Sequence, residues 1–258
     1  MCRVYDKCKE ELVTVGDVFK SNEGCVAVVI RYNGYKKVTL RFLDAFEAEI
    51  TLQAGRVKTG GFKNPYYPSV CGVGYLGVGI HTANGCRYSR HVYNKWKAMI
   101  TRLYSEKSFM VRPTYKGCTV DKTWFNFQIF ADWYKNQRFS TYGYQLDKDV
   151  LVKGNRHYSP ETCCLVPQEI NTLMGRSLSC KGDFPIGVHR NKHSGRFVAQ
   201  ACGAESRYLG TYDTPELAFY AYKKEKETYV KEVAERWKDQ IDPRAYNALM
   251  SWEVNIDD

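Results

Sequence analysis

The segment Ile186–Tyr222 constrains the fold more than any other part of the chain. It contains β-rich runs separated by polar, glycine-containing turns: Ile186–Val188, Gly195–Ala199 and Tyr208–Tyr212. A helical pattern follows these runs. Pro215 suits the first turn of a helix, and Thr214 offers a hydroxyl as N-cap. The segment therefore predicts a three-stranded sheet followed by an amphipathic helix.

This segment resembles the APETALA2-type DNA-binding domain. In that family the sheet lies in the DNA major groove and the helix packs behind it, so the resemblance implies double-stranded DNA as the partner. Most of the family's arginines are absent at the matched positions, and the family's site preference therefore does not carry over. The candidate DNA-binding residues on this segment are His189, Arg190, Lys192, Arg196, Gln200, Arg207 and Tyr208.

Two of these residues are the best candidates for reading bases. Arg196 and Gln200 are four residues apart on one predicted strand, so they share a face. Glutamine can pair bidentately with adenine, and arginine can pair with guanine or phosphate. Because the other basic residues lie nearby, we expect phosphate contacts to dominate.

Positive charge is concentrated in the middle of the chain. The net charge is +10, of which residues 1–74 contribute +3, residues 75–180 contribute +8 and residues 181–258 contribute −1. Aromatic residues are interleaved with the basic residues of the middle third, which is typical of a surface that neutralises phosphates. A solvated basic face is the alternative. In the last third, the strand region is positive and the helical region is acidic, which suits a polyanion on one side.

The cysteine pattern favours a reducing compartment. The chain has ten cysteines, no signal peptide and no apolar run that approaches a membrane span. We therefore expect a cytoplasmic protein with reduced thiols and no membrane partner, in the host cell if the protein is phage-encoded. Cys163 and Cys164 are adjacent, so the spacing of a structural zinc site is missing.

The N-terminal part reads as a small β-barrel. Residues 15–58 show successive β-rich runs with tight turns, which predict five short strands. This part resembles the Src-homology-3-like module at the N-terminus of many bacteriophage homing-endonuclease-like proteins, and we expect it to support positioning or folding. Residues 63–88 are rich in Gly, Pro and Tyr and read as a linker, with an extended arm along a DNA groove as the alternative.

The central part begins with two predicted helices. Apolar residues recur at helical spacing from Ser89, and a second helix is predicted over Asn126–Asn136. The segment Leu146–Asn171 follows, with Asp147 and Asp149, a turn, an apolar strand and a helix. A hairpin followed by a helix is the layout of a ββα-metal nuclease finger.

This layout resembles a phage branch of the HNH endonucleases, together with WKAMITRLY at Trp96–Tyr104 and PTYKGCTVDKTW at Pro113–Trp124. In the wider family a His acts as general base on a water, and the outer residues hold a metal ion. The resemblance implies, by position, that Asp147 is the first metal ligand, that Lys148 stands at the general base, that Thr162 is the middle residue and that Asn171 is the last ligand.

The match departs from the family at the base. A lysine with the ordinary pKa of about 10.4 is protonated at neutral pH and cannot accept a proton. His157 could substitute as the base, although a lone His in a turn is also typical of a structural role. If the centre is active, the candidate catalytic residues are Asp147, Lys148, Asp149, His157 and Asn171, and the ligands for Mg²⁺ or Mn²⁺ are Asp147, Asp149 and Asn171.

The sequence therefore predicts an α+β, multi-module protein. The modules are a small β-barrel (residues 1–62), a linker (63–88), an HNH-like central α/β domain (89–180) and an APETALA2-type domain with a three-stranded sheet plus helix (181–258). The expected function is that of a phage-type DNA-binding protein of HNH homing-endonuclease ancestry, which is a metal-dependent nickase or nuclease if its centre is active. The alternative is a catalytically decayed DNA-binding regulator or an inhibitor of a host protein.

Overall fold

The computed structural model describes residues 13–175, 183–202 and 206–257. This part of the chain combines α-helices with several small sheets, which confirms the α+β class. It forms two compact units. The first runs to Tyr104 and takes in Phe125–Ile129; the second comprises Ser105–Trp124 and the chain from Phe130 onward. The four-module division stays a prediction. No helix among the described residues is long and apolar enough to cross a membrane.

The first unit contains a four-stranded antiparallel meander. Its strands follow one another in sequence order: β1 (Val18–Lys20), β2 (Val26–Tyr32), β3 (Val38–Phe42) and β4 (Glu49–Leu52). Alternate side chains of β2 and β3 point into the core, where Ala27, Val29 and Leu40 are buried. The successive strands predicted for this region are confirmed.

Helix α1 (Ala54–Lys58) follows β4 where the sequence predicted a continuing strand. Ala54 and Val57 are three residues apart and both are buried, so the helical spacing serves the same core as the sheet. In the described part of the chain, this sheet contains neither a fifth strand nor a pairing of β1 with β4. The chain does return to the end of β1, where the Asn22 N–H donates to the Gly60 carbonyl at 2.9 Å.

The Gly-rich segment of residues 63–88 is anchored within the first unit. The buried Gln128 side chain donates to the carbonyls of Leu76 and His81 and accepts the His81 N–H at 2.9 Å. A Cβ atom at Gly79 would lie only 2.3 Å from Gln128 Oε1. The glycines therefore permit close packing against Gln128, which argues against a loose arm.

Both predicted central helices are confirmed. Helix α2 (Arg87–Tyr104) buries Val92, Trp96, Met99, Ile100 and Leu103. Helix α4 (Phe127–Asn136) begins in the first unit and continues into the second, and it buries Phe127, Phe130, Ala131 and Tyr134. Aromatic residues that the charge pattern had suggested as DNA contacts, among them Trp96, Trp124 and Tyr134, are fully buried and serve as core.

The second unit begins with α3 (Glu106–Val111) and contains two pairs of short strands. β5 (Thr119–Val120) pairs in parallel with β7 (His157–Tyr158), and β6 (Tyr144–Asp147) pairs antiparallel with β8 (Cys164–Pro167). Helix α5 (Gln168–Gly175) follows β8 directly.

The three-stranded sheet and helix predicted for the C-terminal segment are confirmed. β9 (Val188–Arg190), β10 (Phe197–Cys202) and β11 (Ser206–Tyr212) form an antiparallel sheet with β10 in the centre. Helix α6 (Pro215–Trp237) begins with proline, and its N-cap Thr214 accepts the Leu217 N–H at 3.3 Å. Helix α7 (Pro243–Met250) completes the unit.

One apolar core joins the central strands to the C-terminal sheet. Val166 of β8 and Ile170 of α5 belong to the same buried cluster as Phe219, Val230 and Val233 of α6. A polar link runs beside this core, because Glu169 accepts hydrogen bonds from Arg236 and from the Trp237 indole, both at 2.7 Å. The ββα segment and the sheet with its helix are therefore parts of one folded body.

The close packing at Gly79 yields a stability prediction. Gly79→Ala forces the Gln128 side chain out of its hydrogen bonds, so the free energy of unfolding should fall by about 1–3 kcal/mol in urea denaturation. In a Gln128→Ala background the same substitution should cost less than half as much. Equal costs in the two backgrounds would contradict the steric explanation.

Candidate DNA-binding surface and central ββα segment

The central ββα segment consists of β6, β8 and α5. Leu146 lies opposite Leu165, and Asp147 lies opposite Cys164. Both leucines are buried, and so are all four residues of β8, which is therefore covered on both faces. The structure therefore has an antiparallel strand pair followed by a helix, but β7 lies between the two strands in sequence and pairs with β5, so they are not the simple hairpin that was predicted. The segment between β6 and β8 carries Lys148, Asp149 and His157.

Asp147 ends β6 and stabilises the turn that follows. Its Oδ1 accepts the N–H groups of Asp149 at 2.7 Å and of Val150 at 2.8 Å. Burial raises the pKa of the Asp147 carboxyl, and these two backbone hydrogen bonds oppose the rise. A carboxylate that binds two successive backbone N–H groups is a typical turn residue.

Lys148 is buried and forms an ion pair with its neighbour. The residue is 8% exposed, and Nζ donates to Asp149 Oδ1 at 2.6 Å and to Asp149 Oδ2 at 2.7 Å. A third hydrogen bond runs to the Asn155 carbonyl at 2.5 Å, and the Tyr158 ring centroid lies 6.0 Å from Nζ. The residue at the family's general-base position therefore acts as a hydrogen-bond donor.

Asn155 connects the two ends of the loop. Its Nδ2 donates to the carbonyls of Lys148 and His157, and its Oδ1 accepts the His157 N–H at 2.9 Å. His157 Nδ1 lies 2.8 Å from Thr119 Oγ1 on the paired strand β5. Neither Asn155 nor Thr119 stands out in the sequence as a residue of this segment; the dipeptide Gly154-Asn155 indicates a turn but not the side-chain contacts of Asn155.

Two further predicted residues, Thr162 and Asn171, lie in the loop before β8 and on helix α5. Thr162 donates to the His157 carbonyl at 2.8 Å, and Asn171 lies half-buried on α5. In the part of the chain that the structure describes, no three His, Cys, Asp or Glu side chains form a group that could hold a metal ion. Both oxygens of Asp149 bind an ammonium, and Asp147 Oδ1 binds the backbone, so these residues fit Mg²⁺ or Mn²⁺ poorly.

The C-terminal sheet has one face covered by α6 and one face turned outward. Val188, Ala199 and Gly210 lie opposite one another; Ala199 is buried and Val188 packs on the core, so this set faces the helix. Leu209 has no partner in the strand register and is the extra residue of a β-bulge. The bulge places Gln200 opposite Tyr208, and both belong to the outward face.

The candidate DNA-binding residues divide between the two faces. His189, Gln200 and Tyr208 lie on the outward face, and Tyr208 is 65% exposed. Arg196 shares this face by alternation along the strand, and its guanidinium lies 2.9 Å from Asp213. Lys192 is exposed in the turn between β9 and β10.

The structure does not bring the other two arginines to the outward face. Arg207 lies opposite Ala201 and forms an ion pair at 2.8 Å with Glu225 of helix α6. Arg190 lies opposite Phe197, on the helix side, and its Nε donates to the Gly195 carbonyl at 2.9 Å. These two residues support the fold of the sheet.

A second basic surface lies on the first unit. Helix α2 contains five Lys and Arg residues and no Asp or Glu. Arg90, Asn94 and Lys97 are exposed at spacings of four and three residues, so they form one polar stripe opposite the buried face. A cationic helix without acidic residues attracts polyanions.

The buried thiols of the central segment yield a second prediction. Burial raises the pKa of Cys163 to about 12 and that of Cys164 well above its ordinary value. Since the thiolate is the reactive form, neither should react with iodoacetamide at pH 8 in the native protein, whereas the exposed Cys71 should. Mass spectrometry of labelled peptides would measure this, and equal labelling of Cys163 and Cys71 would contradict the burial.

Comparison of this chain with protein-family models, with curated proteins and with solved structures finds no match. The family resemblances therefore stay expectations from sequence motifs.

Proposed function

We propose that this protein binds double-stranded DNA through the outward face of the C-terminal sheet. The observation that carries the proposal is the division of this sheet: α6 covers one face, while His189, Gln200 and Tyr208 lie on the other, beside the exposed Lys192. An antiparallel sheet presented in this way can enter the major groove, as β-sheet readers do.

The side chains on this face have the chemistry of DNA contacts. Gln200 can pair bidentately with adenine, and the phenol of Tyr208 can donate to a phosphate. Lys192 supplies a mobile positive charge at the edge of the face, suited to phosphate. Arg196 pairs with an exposed aspartate, Asp213, and such a surface pair contributes little energy, so phosphate can compete for the guanidinium.

The basic stripe on α2 supports a contribution that does not depend on sequence. Arg90 and Lys97 can neutralise phosphates and release condensed counterions, which gives affinity for any duplex. The N-terminal sheet, which we take to be a Src-homology-3-like module, belongs to the same compact unit as this helix.

A second candidate function is metal-dependent nicking by the ββα segment. The β6–β8 strand pair followed by α5 favours it, and HNH ancestry in a phage lineage would account for this layout. The ion pair of Lys148 with Asp149 favours a decayed centre instead. We therefore propose a DNA-binding regulator, with inhibition of a host protein as the further alternative.

Point substitutions test the DNA-binding proposal better than truncation. Removal of the C-terminal sheet and α6 would expose the apolar core that they share with the ββα segment. Lys192→Ala should weaken binding to all duplexes alike and reduce the log–log salt slope by about 1. Gln200→Ala should relax preference at one position of the site, at a cost of roughly 1–3 kcal/mol in discrimination. Selection from a randomised duplex library and gel-shift titration measure both effects.

The matched control is Lys224→Ala, which removes the same charge from an exposed position on α6. It should leave affinity unchanged within about twofold, since the helix lies on the covered side of the sheet. Equal losses for Lys192→Ala and Lys224→Ala would mean that only net charge matters, and the proposed face would be wrong.

Incubation with supercoiled DNA separates the two candidate functions. We expect binding without nicks in Mg²⁺ or Mn²⁺, because both oxygens of Asp149, which would hold the metal ion, bind the Lys148 side chain instead. Nicking that disappears both with EDTA and in Asp149→Ala would establish the enzyme instead.

A further inference from the structure

We propose that the Lys148 ammonium is a built-in cation, which organises the loop between β6 and β8 in the place where a divalent metal would bind. The proposal concerns the loop itself and does not depend on DNA binding.

The coordination of Nζ carries the proposal. An ammonium has three N–H groups, and the structure gives Nζ three oxygen partners: Oδ1 and Oδ2 of Asp149 and the Asn155 carbonyl. All three distances lie between 2.5 and 2.7 Å. Carboxylate and carbonyl oxygens are also the ligands that Mg²⁺ and Ca²⁺ take in proteins. The lysine thus uses a set of oxygens that would suit a hard cation.

The same site cannot hold both cations. A Mg²⁺ ion needs oxygens at about 2.0–2.1 Å in near-octahedral geometry, and both carboxylate oxygens already bind Nζ. A divalent ion would also meet the positive charge of Lys148, whose side chain is only 10% exposed and therefore poorly screened by water. Entry of a metal would require the lysine side chain to leave.

The ammonium also closes the loop. The ammonium donates a hydrogen bond to the Asn155 carbonyl. The side chain of the same Asn155 donates to the carbonyls of Lys148 and His157. One charge therefore joins the end of β6 to the start of β7, and the loop is ordered without any metal. In a loop that depends on a metal ion, the Asp149 carboxylate would instead repel the neighbouring Asp147 carboxylate until the ion bound.

Asp149→Asn distinguishes a loop that the Lys148 ammonium organises from a loop that a metal ion organises, because the substitution keeps the shape of the side chain and removes its charge. If Lys148 is the cation, the substitution leaves a buried ammonium without its counter-charge. The thermal midpoint in EDTA should then fall by at least about 4 °C. If Asp149 serves a metal, the substitution should have little effect in EDTA. Asp239→Asn, at an exposed position, is the matched control and should leave the midpoint unchanged.

Metal response is the second readout. The thermal midpoint of the wild-type protein should change by less than about 1 °C between EDTA and millimolar MnCl₂. Electron paramagnetic resonance should show the same amount of bound Mn²⁺ in the wild type and in Asp149→Asn. Lys148→Met, which keeps the length of the stem, should be destabilised in both buffers. An unchanged midpoint for Asp149→Asn in EDTA would overturn the proposal, as would a Mn²⁺-induced rise in the wild type that Asp149→Asn abolishes.

Discussion

The packing of helix α6 is the constraint on which the second unit depends. This single helix contacts all three strands of the C-terminal sheet and also α5 and α7. At 23 residues this helix is about 35 Å long, which is long enough to contact the C-terminal sheet as well as helices α5 and α7. The contact with the sheet is close, since a Cβ atom at Gly187 would lie 2.1 Å from the Tyr222 ring. The position of the outward face is therefore set by the same core that supports the ββα segment.

The loop at Lys148 shows how a buried charge can be accommodated by its immediate neighbours. Its counter-charge comes from the next residue, and its third partner is a backbone carbonyl seven residues later. A buried ammonium with all its N–H groups satisfied avoids the large cost of an unpaired charge. Such an arrangement fixes the backbone path of the loop through side-chain and backbone groups of the loop itself.

The parts that the sequence predicted correctly are those encoded locally. The helices at Trp96 and Phe130 follow from apolar spacing, and the start of α6 follows from Thr214 and Pro215. The turn from strand to helix at Ala54 was missed, because the short apolar spacing there fits either structure. The face of the sheet on which Arg190 lies depends on strand register, and Arg207 also depends on its ion pair with Glu225 in another element. A local sequence pattern contains neither the register nor the partner.

The bulge at Leu209 decides which chemistry the sheet offers to a partner. Leu209 packs on the core as an additional residue of β11, and the alternation of side chains before it is thereby reversed. If β11 kept Leu209 but paired without the bulge, regular alternation from Gly210 would turn Leu209 outward, Tyr208 inward and Arg207 outward. A guanidinium would then stand where the phenol is, with no change to the residues of β11. One additional residue in β10 opposite Leu209 would have this effect, so the chemistry that this face exposes depends on the count of residues in the paired strands as much as on their identity.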